Sequence, residues 1–233
     1  MFNKYFIILF LFIPFLSFSE DVKSILENIK KVYTAPNISY DLTYSLYKGH
    51  STNTIHSSYN GVLKMKNKLV YQKIKSTEFI YAKDYFLKVS NDERIIVLDL
   101  PNNSFNADFD VSKIVEQCSS VSHQDKGNYY SVTLKFNDLV QVPYGVIKMR
   151  VNKKKYTITR IDLYYSNLQD FSNSYKKKDL DYPHLRIDFT NISFKLKVED
   201  RLFSFETYLK RERNILYPTG KYVGYKLLDN RIK

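Results

Sequence analysis

Residues 38–46, with the sequence ISYDLTYSL, decide the fold class of this chain because apolar and polar side chains alternate along them without a break. A period of two sustained over this length is typical of a β-strand that buries one face. The stretch therefore predicts a long strand whose apolar side faces a core. The residues on that side are Ile38, Tyr40, Leu42, Tyr44 and Leu46.

Further strand patterns follow at short, regular intervals, separated by turn residues such as Asn67-Lys68 and Lys83-Asp84. This spacing indicates a meander of antiparallel strands. The last pair, residues 185–194 and 202–209, is expected to form a hairpin that turns near Glu199 and Asp200. We count about eleven strands in all. They are predicted at residues 38–46, 59–66, 69–75, 78–82, 85–90, 94–100, 130–136, 145–151, 157–165, 185–194 and 202–209.

Two segments have helical periodicity. In residues 20–33 apolar side chains recur at helical spacing, and Pro36 ends the pattern. A shorter pattern in residues 110–118 begins at Asp110, which can cap a helix. A meander of this length curls to protect its edges, so we expect a mainly β fold. The predicted architecture is an incomplete antiparallel β-barrel lidded by two or more helices.

The N-terminal segment has the pattern of a secretory signal peptide. Lys4 gives a charged head, residues 5–15 form an apolar run, and Ser17 and Ser19 supply the small residues before a cleavage site. An uncleaved membrane anchor is the alternative, but the run is shorter than the roughly 20 residues that a spanning helix needs. We therefore expect residues 1–19 to be removed and residues 20–233 to form one exported domain in the periplasm of a Gram-negative bacterium.

The composition is aromatic and basic, with 21 Tyr, 16 Phe and a net charge of +12. An excess of cations suits nucleic acid or an anionic membrane surface, and export argues against nucleic acid. The lysines are scattered opposite apolar strand residues, so the alternative is an ordinary solvated sheet face. The lone Cys118 has no partner for an internal disulfide and suits a small buried position.

The sequence has no motif of a known catalytic or metal site: no glycine-rich phosphate loop, no GxSxG, no HExxH and no paired cysteines. His50 and His56 share a polar loop, where exposed histidines without a metal are the usual case. We therefore predict a protein that is not an enzyme and that carries no cofactor and no metal.

The remaining functional element is the apolar interior. A half-barrel too wide to be filled by its own side chains leaves a cavity for an apolar ligand, whereas a narrower one has a filled core. Both alternatives use the same inward-facing residues. Our candidates are Tyr40, Leu42, Tyr44, Leu46, Leu63, Met65, Leu87, Val89 and Val97.

The order of these elements resembles the periplasmic carriers of outer-membrane lipoproteins, the LolA family. The resemblance lies in VKSILENIKKVY at residues 22–33, SYDLTYSLY at 39–47, YNGVLKM at 59–65, and the strand patterns at 68–71, 78–81 and 95–99. It covers roughly the first half of the predicted mature chain. It implies a half-barrel that holds the acyl chains of a lipoprotein or lipid in transit to the outer membrane, as a chaperone does.

The implied partners are an acylated lipoprotein or lipid, donor and acceptor membrane proteins, and, through the basic surface, a weak contact with an anionic membrane. The resemblance favours a cavity over a filled core. The alternative function is an exported, non-catalytic envelope protein that has a filled core and binds protein partners.

Overall fold

The structure is a computed structural model, and it describes residues 21–101, 115–137, 142–172, 178–195 and 197–231. The helix α1 (Val22–Tyr33) forms as predicted, and its apolar stripe is buried while Lys30 and Lys31 complement the dipole in its last turn. The backbone amide of Ile158 donates to the Tyr33 hydroxyl at 3.1 Å, which anchors the end of the helix. In the described residues no helix is long and apolar enough to span a bilayer.

Strands make up most of the described chain. Their bounds are β1 (Asn37–Lys48), β2 (Ile55–Lys66), β3 (Leu69–Ile74), β4 (Thr77–Tyr81), β5 (Phe86–Ser90), β6 (Ile95–Asp99), β7 (Cys118–Asp125), β8 (Tyr129–Phe136), β9 (Tyr144–Asn152), β10 (Ile158–Tyr165), β11 (Gln169–Asp170), β12 (Leu180–Asp181), β13 (Pro183–Ser193), β14 (Leu209–Glu212), β15 (Ile215–Pro218) and β16 (Lys226–Asp229). The mainly β prediction is therefore confirmed.

Twelve of these strands form one open sheet in the order β16-β6-β5-β4-β3-β2-β1-β13-β10-β9-β8-β7. Neighbours are antiparallel except β16, which runs parallel to β6. Two meanders, β1–β6 and β7–β10, meet at β13, which pairs with β1 on one side and β10 on the other. The sheet is not a closed barrel, and its strand number differs from the eleven expected.

The register assigns each side chain to one of two faces, because residues directly opposite in antiparallel strands point the same way. We call the face against α1 the helix face and the other the back face. On β7–β10 the helix face packs against α1. Its buried residues are Ile25, Leu26 and Ile29 of the helix with Tyr130, Val132, Leu134, Met149, Val151 and Ile158 of the sheet.

The back face of β3–β6 is covered by residues 198–222, which we call the C-terminal segment. This segment contains 3-10 helices at Asp200–Phe203, Phe205–Thr207 and Gly220–Tyr222. The predicted hairpin of residues 185–194 with 202–209 is wrong, because β13 pairs with β1 and β10 instead. Short helical turns point the dense apolar residues of this segment at the sheet, which a strand could do for only every second residue. The buried contributors are Val198, Phe203, Tyr208, Leu209 and Tyr222.

A buried carboxylate joins this segment to the sheet. Glu78 of β4 accepts hydrogen bonds from the hydroxyls of Tyr71 and Tyr222, each at 3.1 Å, from Asn91 Nδ2 at 3.0 Å, and from Lys221 Nζ at 3.1 Å. A buried charge is tolerated only when it is paired and hydrogen-bonded in this way. The network therefore fixes the C-terminal segment on the back face.

A second helix is not confirmed. The helix expected at residues 110–118 lies mostly outside the described residues, and its last member, Cys118, begins strand β7 instead. Cys118 is half-buried beside the α1 cluster, and burial raises the pKa of its thiol.

Candidate functional site

The structure separates the nine candidate residues between the two faces. Leu87 and Val89 lie on the back face, fully buried beneath the C-terminal segment. Their neighbour Lys88 is on the helix face, where it lies opposite Val97. The register brings the other seven together on the helix face: Tyr40, Leu42, Tyr44, Leu46, Leu63, Met65 and Val97.

An apolar surface occupies the helix face of β1, β2, β3, β4 and β13, and we call it the apolar floor. Its buried centre is formed by Ile38, Leu42, Tyr44, Leu63, Met65 and Val70. Partly buried side chains border that centre: Tyr40, Tyr59, Ile74, Tyr81, Leu185, Ile187 and Phe189. This extent of apolar side chains, half of them still reachable by solvent, is what a binding surface for an apolar ligand requires.

Aromatic pairs shape the apolar floor. The rings of Tyr44 and Tyr59 stack at a centroid distance of 5.1 Å, and Tyr40 meets Phe189 at 5.3 Å. Aromatic pairs of this kind stabilise packing beyond the apolar area that they bury. The floor is therefore an aromatic surface along the middle of the sheet.

Gly61 makes the Tyr44 position possible. Gly61 of β2 lies opposite Leu42 of β1. A Cβ atom on Gly61 would come within 2.8 Å of the Lys73 carbonyl oxygen and within 3.1 Å of Tyr44 Cε2. The role of Gly61 is therefore to let neighbouring groups approach the backbone closely.

Burial affects the hydroxyl groups of three tyrosines at the floor and its edge. Burial raises the pKa of Tyr40 above its ordinary range and raises the pKa of Tyr33 to about 12, although the Ile158 amide opposes the second shift. Burial also raises the pKa of Tyr44, whose hydroxyl accepts a hydrogen bond from Gln72 at 3.2 Å. Tyr33, Tyr40 and Tyr44 therefore place no charge beside the apolar side chains at neutral pH, which suits an uncharged acyl chain.

A groove of about 530 Å³ continues the floor toward the far ends of β3–β5. Tyr59, Ile74 and Phe79 form its apolar walls, and charged side chains stand at its rim. Lys75 is one of these, with its ammonium group 4.8 Å from the centre of the Tyr59 ring. The volume lies in the range of pockets for small ligands, about 300–1,000 Å³.

Sequence reasoning missed a histidine cluster on the back face. His184 is buried, its ring lies between those of Tyr47 and Tyr164, and its Nε2 is 2.8 Å from Asp162 Oδ1. Arg186 donates to the same carboxylate oxygen at 2.8 Å. Alternation places Asp162 and His184 on the polar side of their own strands, but only the β10–β13 register, which no local pattern predicts, brings them to one face as neighbours.

The histidine cluster is not a catalytic triad. Nε2 of His184 is hydrogen-bonded to Asp162, and Nδ1 of His184 has no hydrogen-bond partner. Neither ring nitrogen therefore activates a hydroxyl or thiol of the described residues. His50 and His56, the histidines singled out in the sequence, pack against Tyr164 and Phe171 respectively. Across the described part of the chain no three His, Cys, Asp or Glu residues are grouped to hold a metal ion.

A scan of protein-family models finds no match to the sequence, and a search of curated proteins finds none. Solved structures do match. An uncharacterized conserved protein from Thermus thermophilus is 8% identical, with 90% of this chain and 99% of that chain covered and a TM-score of 0.48. A putative outer membrane lipoprotein-sorting protein domain from Vibrio parahaemolyticus is 13% identical over 76% and 95% of the two chains, with a TM-score of 0.34.

A LolA superfamily protein from Nitrosomonas europaea is 10% identical, with 81% of this chain and 100% of that chain covered and a TM-score of 0.28. The function proposed below rests on the residues of this chain, because identities this low concern the fold alone.

Proposed function

We propose that this chain is an exported, non-catalytic protein that binds the acyl chains of a lipid or lipoprotein on the apolar floor. The observation that carries the proposal is the floor itself: an apolar surface that includes five of the nine candidate residues and has a groove at one end. In the fuller form of the proposal, the protein is a periplasmic carrier that shields its cargo between a donor and an acceptor in the envelope.

The binding energy available on the floor is large enough for this role. Burial of an acyl chain stabilises a complex by about 0.8 kcal/mol per methylene group, so about ten buried methylenes contribute about 8 kcal/mol. Part of this is offset by the freedom that the ligand loses on binding. A carrier needs binding of intermediate strength, because its cargo must also be released. A floor that stays partly exposed buries only part of an acyl chain, which keeps the affinity intermediate.

The first experiment asks whether the chain carries a ligand. Residues 20–233 are purified from a membrane-containing bacterial host and extracted for mass spectrometry, and the stripped protein is titrated with a fluorescent fatty acid. We expect an acyl ligand in near-stoichiometric amount and saturable probe binding. A protein that carries no acyl ligand and does not bind the probe would refute the proposal and favour the filled-core alternative.

Variants then locate the site. Ile187→Glu on the floor and Phe79→Glu in the groove place a carboxylate against the proposed acyl path, and we expect each to weaken probe binding more than tenfold. Leu180→Glu is the matched control, because Leu180 is 50% exposed on the short strand β12, outside the large sheet. Circular dichroism establishes that each variant is folded. Equal binding by all three variants would place the ligand elsewhere.

A further inference from the structure

The back face of β8 and β9 carries a group of exposed cations. Lys148 and Arg150 are two residues apart on β9, so their Cα atoms are about 7 Å apart. Lys135 of β8 lies diagonally across from Lys148, about 7–8 Å away. All three side chains are exposed, so their charges reach the same patch of solvent.

The two carboxylates of β10 and β13 on this face are already paired with other cations. Asp162 is paired with His184 and Arg186, each at 2.8 Å, and Asp188 accepts from Arg160 at 2.6 Å. Among the described residues no ion pair involves Lys135, Lys148 or Arg150. Their positive charge is therefore available to a partner.

Tyrosine rings accompany these cations. Lys148 lies 4.9 Å from the centre of the Tyr164 ring, and the Arg150 guanidinium lies 4.6 Å from that of Tyr129. Beside them is a groove of about 350 Å³ with a mostly apolar lining that includes Val146, Tyr164 and Tyr165, together with Lys135 and Lys148. A surface that mixes tyrosines with cations is suited to the boundary between lipid headgroups and water.

We propose that this tyrosine–cation patch, formed by Lys135, Lys148, Arg150, Tyr129 and Tyr164, binds the anionic headgroup surface of a phospholipid bilayer. Headgroup phosphates pair with the three cations, and the tyrosines and the groove contact the glycerol ester region and the first acyl methylenes beneath it. The choice of a bilayer over nucleic acid rests on the exported location in the proposed function. The patch and the apolar floor lie on opposite faces of the sheet, so membrane contact leaves the floor open to cargo.

The test measures sedimentation of the chain with vesicles of phosphatidylcholine alone and of phosphatidylcholine mixed with phosphatidylglycerol. We expect binding to the anionic vesicles only, weaker at higher salt because salt screens exposed charges. The triple variant Lys135→Gln, Lys148→Gln, Arg150→Gln removes three charges worth about 1 kcal/mol each near such a surface. Because each 1.4 kcal/mol of binding free energy changes Kd tenfold, the variant should bind anionic vesicles about a hundredfold more weakly.

The matched control is Lys23→Gln, Lys73→Gln, Lys83→Gln, which removes the same charge from exposed positions outside the patch. We expect it to bind anionic vesicles nearly as well as the wild-type chain. Equal weakening by the two triple variants would show that net charge alone attracts the chain, and absence of any vesicle binding at low salt would also overturn the proposal. Binding of the fatty-acid probe is a separate readout, so failure here leaves the proposed function intact.

Discussion

Replacing Glu78 by leucine should loosen the C-terminal segment from the sheet. The substitution keeps most of the side-chain volume but leaves the hydroxyls of Tyr71 and Tyr222 and the amide of Asn91 without their acceptor. Lys221 also loses its partner, but its side chain is 66% exposed and can turn to water. The two buried hydroxyls and the half-buried Asn91 amide, which keeps its bond to the Ser76 carbonyl, together give a loss of about 2–3 kcal/mol in the free energy of unfolding, at about 1 kcal/mol for each donor.

This loss should depend on pH. Burial raises the pKa of Glu78, but hydrogen bonds from Asn91 and Lys221, with the charge of Lys221, outweigh burial and bring the pKa below its ordinary value. A carboxyl group whose pKa is lower in the folded state stabilises the fold above its unfolded pKa, and this contribution is lost as pH falls through the folded pKa. The difference between wild type and Glu78→Leu should therefore be largest near neutral pH and shrink in acid.

Urea unfolding of residues 20–233, followed by circular dichroism because the chain has no tryptophan, measures both effects. Glu93→Leu is the control: Glu93 is exposed on the turn between β5 and β6, where substitution should change stability by less than about 0.5 kcal/mol. An equally small loss for Glu78→Leu, or a loss that does not change between neutral and acidic pH, would refute the assignment of Glu78 as the charged centre of this contact.

Three further predictions concern the sheet and its helix. Gly61→Ala should lower the free energy of unfolding by about 1–3 kcal/mol, because the new Cβ lies 2.8 Å from the Lys73 carbonyl oxygen; an unchanged melting temperature would contradict this. Leu26→Ala should cost about 2–5 kcal/mol in urea unfolding, since Leu26 is 1% exposed, and a loss below about 1 kcal/mol would mean that α1 is weakly anchored. Asp162→Asn should lower the free energy of unfolding by about 1–3 kcal/mol, because it weakens the contact with His184. Equal stability of variant and wild type in the same assay would show that this contact does not stabilise the fold.

The helix and the long strands could be predicted because each buries one side, which leaves a periodic record in the sequence. The pattern in residues 38–46 predicted β1, and the stripe in residues 20–33 predicted α1. Strand β7 was missed because it lies at the edge of the sheet and most of its residues are exposed and polar. The C-terminal segment was misassigned because its apolar residues are too dense to distinguish a strand from short helical turns.

The candidate site was predictable within strands but not between them. Alternation tells which residues of β5 share a side, and it correctly groups Leu87 with Val89. Which face of the sheet that side belongs to depends on the turns that set the register, and on β5 the buried side faces the C-terminal segment rather than α1. The contact of Asp162 with His184 is of the same kind, since it needs the pairing of β10 with β13.

The position of β13 between the two meanders has a consequence for how the chain acquires its structure. Leu46 of β1 pairs with Leu185 of β13, so the central ladder joins parts of the chain that are far apart in sequence. Contacts of this kind form slowly, because the chain loses the entropy of closing a long loop before the contacts can stabilise it. A chain that crosses a membrane N-terminus first would expose the outer edge of β1 until β13 arrives. We therefore expect slow folding and, in the export proposed above, protection of the newly translocated chain by a holding chaperone against aggregation through that edge.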